Sequence, residues 1–108
     1  MMNLTRDFKE TVNVRVQRDS TFAVALLDEA VFLFLNGEPE TARLILRELV
    51  KATVGFEKLA IETSETSESL YQMLSAKGNP TMNILTATLG LLRKKLDVEI
   101  EVKTISRV

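Results

Sequence analysis

An all-α domain finished by a short C-terminal β-strand is the fold class this sequence predicts, on three observations. Apolar residues recur every three or four positions through most of the chain, the period of a helix face. Helix punctuation separates those stretches, with Asn36-Gly37 followed by Pro39, then Gly55, then Gly78-Asn79-Pro80. The tail Val98-Glu99-Ile100-Glu101-Val102-Lys103 instead alternates strictly, as a half-buried strand does.

Taken in order, Phe8, Val12 and Val16 lie four apart on one helical face. Val12, Val14 and Val16 also alternate, but the helix is the preferred reading. Asp19 or Ser20 is a good N-cap for a second helix running to Asn36, whose wide apolar face of Phe22, Leu26, Leu27, Ala30, Val31, Phe34 and Leu35 predicts that it is largely buried. Asn36-Gly37 closes it with a left-handed cap. Pro39 suits the first turn of a third helix, where its missing N–H would be unpaired anyway.

That third helix, Pro39 to about Thr53, buries Ala42, Ile45, Leu46 and Leu49 and is expected to turn Arg43, Arg47 and Lys51 outward as a basic stripe, partly neutralised by Glu40 and Glu48. A solvated helix face is the simplest account of the stripe. After a turn at Gly55 a fourth helix covers 56–63 and a fifth 67–74, capped by the Thr66 hydroxyl. Residues 75–80 read as a loop. Thr81 restarts a helix to about Leu96, with a Leu85, Leu89, Leu92, Leu96 seam and Arg93-Lys94-Lys95 at the negative end of its dipole. No second strand of the tail's quality exists, so the tail is expected either to pair across a two-fold axis with another copy or to pack on its own helices.

Composition narrows the function classes. The 108 residues are 45% hydrophobic, enough for one real core, and 14 Lys+Arg against 15 Asp+Glu leave a net charge of −1, too little to draw the chain to nucleic acid by its overall field. With neither cysteine nor histidine, thiolate chemistry, disulfides, the usual zinc sites and imidazole acid–base catalysis are excluded. Asp28-Glu29 diverge by about 100° on a helix and do not converge on a substrate. No nucleophile has a plausible base, so no catalytic role, cofactor or metal is assigned. The longest apolar run, Phe22 to Leu35, is broken by Asp28-Glu29 and is shorter than the roughly 20 residues of a membrane span. The expected location is cytoplasmic.

One segment suggests a function. Leu59 and Ala60 on one short helix, the brief connection Thr63-Ser64-Glu65-Thr66, and Leu70, Met73 and Leu74 on the next have the spacing of a helix-turn-helix, whose second helix can enter a DNA major groove. Ser67, Glu68 and Ser69 occupy its first turn, followed by Tyr71 and Gln72. Gln72 can offer a bidentate amide to adenine, Ser67 can bond a base edge or a phosphate, and Glu68 can accept from cytosine N4. Lys77 and Asn79, in the next loop, are placed for phosphate contacts. Tyr71 serves equally well as a packing residue. Residues 54–77 carry two lysines against four glutamates, a poor charge for approaching DNA. The bland alternative is a helical pair that merely fills a core.

The strings Asp7-Phe8-Lys9-Glu10-Thr11-Val12, Phe22 to Glu29, Leu35-Asn36-Gly37-Glu38-Pro39-Glu40-Thr41-Ala42-Arg43, Thr53-Val54-Gly55-Phe56-Glu57 with Leu59-Ala60, and Gly78-Asn79-Pro80-Thr81 resemble probable addiction-module antidote proteins. These are HigA-like antitoxins with a lambda-repressor-like (XRE/Cro) helix-turn-helix, and the likeness extends over nearly the whole chain. The resemblance implies a single domain with an N-terminal helical extension (1–37), a helix-turn-helix DNA-binding core (38–96) and a C-terminal strand or tail (97–108). It also implies a homodimer that represses its own promoter by binding double-stranded operator DNA, with a cognate toxin, typically a small ribonuclease, as a possible partner. By motif position Thr66, Ser67, Glu68, Ser69, Tyr71 and Gln72 fall on the recognition helix, and Lys77 and Asn79 on the loop after it. The sequence departs from the family in having Ser64 where glycine is usual, Glu65 where an apolar residue is usual, and Gln72 where arginine is common. The expected function is therefore a sequence-specific transcriptional regulator of the antitoxin type. The alternative is a helical protein–protein interaction module without DNA binding.

Overall fold

The computed structural model describes residues 6–108, with side chains from Lys9 onward. The described chain holds six helices: α1 (Arg6–Arg18), α2 (Ser20–Leu35), α3 (Pro39–Ala52), α4 (Phe56–Thr63), α5 (Ser67–Met73) and α6 (Met82–Leu96). The all-helical expectation holds and the C-terminal strand does not, since no strand occurs among the described residues. Val98 and Ile100 do turn toward the core, while Val102 is exposed. Alternation selects an inward face, but a strand also needs a neighbouring ladder to bond to, and the described residues supply none.

At the N-terminal end the helical reading wins because Val12 and Val16 are buried while Val14 is half exposed. Phe8, the first residue of the expected face, lies outside the described side chains. A single residue, Asp19, joins α1 to α2. Its Oδ1 accepts from the N–H groups of Thr21 at 3.0 Å and Phe22 at 3.4 Å, the expected N-cap. The Arg15 guanidinium lies 4.1 Å from the Phe22 ring centroid and 3.7 Å from the Asp19 carboxylate, fastening the corner from outside.

Along α2, Ala23, Leu27 and Ala30 are buried, yet Phe32 and Leu35 are 58% and 64% exposed, so the helix is less covered than its composition predicts. Its end is as read. Gly37 takes φ +85° and the Glu38 N–H reaches back to the Leu33 carbonyl at 2.8 Å, the six-to-one bond of a Schellman motif. α3 then packs against both α1 and α2 and buries Ala42, Ile45, Leu46, Leu49 and Val50. α6 faces both α4 and α2, and its buried positions are Ile84, Thr88, Leu91 and Leu92. Of the expected leucine seam only Leu92 is fully covered, because contact on two sides rotates the buried stripe. The fully buried Thr88 hydroxyl is satisfied by the Ile84 carbonyl at 2.8 Å. No helix among the described residues is long and apolar enough to cross a membrane.

Candidate nucleic-acid interface

α4 and α5 are separated only by Ser64, Glu65 and Thr66. Ser64 ends α4 in the left-handed region, φ +58° and ψ 28°, the position at which the resembled family uses glycine. Thr66 is extended and its Oγ1 accepts from the Ser69 N–H at 3.0 Å, as expected of the cap of α5. The two helices are fixed from beneath by Leu59, Leu70 and Leu74, all essentially buried. Each such side chain contributes about 1.5–3 kcal/mol of transfer free energy relative to exposure. α5 is thus a seven-residue helix clamped at its start by a side-chain cap and along its inner face by leucines.

Six of the eight expected site residues come together. Thr66, Ser67, Glu68, Ser69, Tyr71 and Gln72 line one open furrow, with Phe56 completing it and about 640 Å³ of space inside. Their availability differs. The Thr66 oxygen is engaged in capping, and the Ser69 hydroxyl donates to Glu65 Oε1 at 3.3 Å. Tyr71 is half-buried, with Phe56 edge-on at 5.4 Å between centroids and the Arg47 guanidinium 4.7 Å from its ring centroid. That packing favours the structural reading of Tyr71. Ser67, Glu68 and Gln72 have no side-chain hydrogen bond within the described chain, and Glu68 and Gln72 are exposed. Lys77 and Asn79 are exposed on the following loop and do not line the furrow.

The basic stripe expected on α3 is corrected. Lys51 alone is exposed. Arg43 donates from Nε to the Ser75 carbonyl at 3.0 Å and from Nη2 to the Ala76 carbonyl at 2.7 Å, so its charge is held by carbonyls of the loop that follows α5. Arg47 is folded under Tyr71 with 11% of its side chain exposed. Its Nε lies 3.5 Å from Oε2 of the buried Glu48, without hydrogen-bond alignment. Cations spaced four apart do share a helix face. At Arg43 and Arg47 that face is covered by α5 and its loop rather than by water.

Two residues important to the furrow were missed by sequence reasoning. Phe56 follows Gly55 at the start of α4 and looks like an ordinary core residue. Arg47 reads as surface charge. The only signal for their association with Tyr71 is the chemistry of an aromatic pair with a nearby cation, which sequence spacing cannot place in space. Compared with protein-family models, curated proteins and solved structures, the chain finds no match.

Proposed function

We propose that the protein is a sequence-specific transcriptional regulator that binds double-stranded operator DNA through α5, of the addiction-module antitoxin type and acting as a homodimer on its own promoter. One observation carries the reading: Ser67, Glu68 and Gln72 stand unengaged around an open furrow on a short helix held by its cap, a brief turn and buried leucines. Base readout requires such side chains on a rigid element. The residue pattern shared with the antidote proteins supports the same reading and adds a ribonuclease toxin as a partner. In this mechanism Gln72 reads adenine, Ser67 bonds a base edge or phosphate, Glu68 accepts from cytosine, and Lys77 and Asn79 hold the backbone. Two copies read half-sites about 34 Å apart.

A second reading, a helical interaction module that binds a protein and no DNA, is favoured by the electrostatics. Glu57, Glu62, Glu65 and Glu68 are exposed around α4 and α5, whereas Arg43 and Arg47 are spent inside the molecule. A salt titration on the DNA upstream of the protein's own gene separates the two. The regulator gives a shallow negative log–log slope, about one unit for each lysine–phosphate contact; a slope near zero, or no binding at low salt, refutes it. Gln72→Ala is expected to relax one base position and Lys77→Ala to weaken all sequences alike.

A further inference from the structure

We propose that the C-terminal segment 98–105 forms an antiparallel two-stranded ribbon with the same segment of a second copy of this chain, in the register that sets Val102 opposite itself across a two-fold axis. The main chain of residues 99–107 makes no hydrogen bond within the described chain. Its backbone donors and acceptors are therefore without partners among the described residues, along a stretch rich in β-branched residues. Natural chains protect such stretches with proline, bulges or repelling charge. Residues 98–108 contain neither proline nor glycine. The inner face is already seated, because Val98 and Ile100 pack on the core, so the segment is held in place to receive a neighbour.

The charges choose both the occupant and the register. A two-fold axis through one residue places the residues before and after it opposite each other. Centred on residue 98, Asp97 would face Glu99; on 100, Glu99 would face Glu101; on 99, 101 or 103, Glu99, Glu101 or Lys103 would face itself. Centred on Val102, Glu101 faces Lys103 on both sides of the axis, and no like charges are opposed. Opposite charges directly across an antiparallel pair stabilise it and like charges destabilise it. An axis midway between residues would instead set Ile100 against Glu101, mixing the two faces. Centred on Thr104, like charges are not opposed either, but Lys103 then faces Ile105 and Glu101 meets a cation only at Arg107, outside the segment. Within 98–105 the Val102 register is the one that pairs opposite charges, the self-complementarity an isologous interface demands.

The apolar surface continues the argument. Val102 and Ile105 are 62% and 73% exposed, and they border a furrow shared with the exposed Phe32 and Leu35 of α2. A ribbon laid along 98–105 extends this apolar surface into the second copy and removes part of it from water. The proposal does not rest on DNA recognition: a dimer that binds no DNA would sink the regulator reading alone, and a DNA-binding dimer joined through another surface would sink this proposal alone.

The chain has no cysteine, so an introduced one reports the register without interference. In the proposed ribbon, Cα atoms at position 102 of the two copies lie about 4.5–5.5 Å apart, within disulfide reach, whereas those at 98 lie about 27 Å apart. Mild oxidation of the full-length protein at micromolar concentration is expected to convert Val102→Cys to a covalent dimer at least roughly tenfold faster than Val98→Cys. In sedimentation, Lys103→Glu should raise the dimer dissociation constant about tenfold or more, and Glu101→Lys added to it should restore the original value. A wild-type chain that sediments as a monomer, equal oxidation rates at 98 and 102, or a dimer indifferent to the charge reversal would each overturn the proposal.

Discussion

Two irregular segments of this molecule differ in how they are held. The loop 75–80 after α5 has its carbonyls at Ser75 and Ala76 gripped by the Arg43 guanidinium, its Ser75 N–H and Oγ bonded to the Gln72 carbonyl, and its Gly78 N–H bonded to the Ser75 carbonyl. The tail 99–107 has no main-chain hydrogen bond within the described chain. Val98 and Ile100, packed on the core, seat its start. An irregular segment becomes a fixed part of a fold when a donor from elsewhere reaches its carbonyls, whereas apolar anchoring leaves the backbone available to another chain. The first arrangement fixes the end of α5. The second suits an interface.

Gly78→Ala is the strongest way to break the contrast. A Cβ at Gly78 would overlap the Met73 and Gln72 carbonyl oxygens, and these are backbone atoms that cannot swing aside. The need is for space, since Gly78 is not among the glycines with positive φ. The variant should lose about 3 kcal/mol in urea unfolding, the upper part of the usual cost of overpacking. Val102→Ala on the tail, measured at dilution, should change stability by less than about 0.5 kcal/mol, as exposed substitutions do. Equal losses at the two positions would show that the loop is no better fixed than the tail.

Arg43→Ala sharpens the same contrast with a smaller effect. It leaves the Ser75 and Ala76 carbonyls without their charged donor, at an expected cost of about 2 kcal/mol. Arg43→Lys should recover only part of this, because an ammonium group cannot reproduce the two-pronged grip of a guanidinium. Amide exchange in residues 74–78 should rise in both variants, while exchange in 99–107 stays unchanged. Full recovery by lysine would mean that charge near the end of α5 matters and the paired geometry does not.

These contrasts mark the limit of what the sequence makes legible. Helix ends were readable because their chemistry is local: Asp19 and Thr66 cap through their own side chains, and Gly37 takes the left-handed position beside its helix. The furrow residues Thr66 to Ser69 and Gln72 were readable for the same reason, since the first turn of a helix capped at Thr66 has to present them. The fates of Arg43 and Arg47 were not. Spacing says that they share a face with Lys51, but what covers that face lies 32 and 33 residues downstream for Arg43. Exposure of Phe32 and Leu35 was hidden in the same way, because an apolar helix reads as buried whether or not a neighbour exists to bury it. In the tail, periodicity placed Val98 and Ile100 inward correctly but not Val102, and no strand occurs among the described residues. A ladder depends on a second strand, which periodicity in one stretch cannot supply.

The turn between α4 and α5 offers the smallest and most delicate test. Ser64 sits at φ +58°, where an L-residue with a Cβ is strained by about 1–2 kcal/mol and glycine is not. Glycine, however, gives the unfolded chain more freedom and returns about 0.5–1 kcal/mol of that advantage. Ser64→Gly should therefore stabilise the protein by about 0.5 kcal/mol, seen as a higher urea midpoint with an unchanged slope. The Ser64 side chain makes no hydrogen bond within the described chain that its removal would cost. A lower midpoint would mean that the turn does not hold positive φ at this position in solution. The placement of α5 on α4, on which the furrow depends, would then need a different connection.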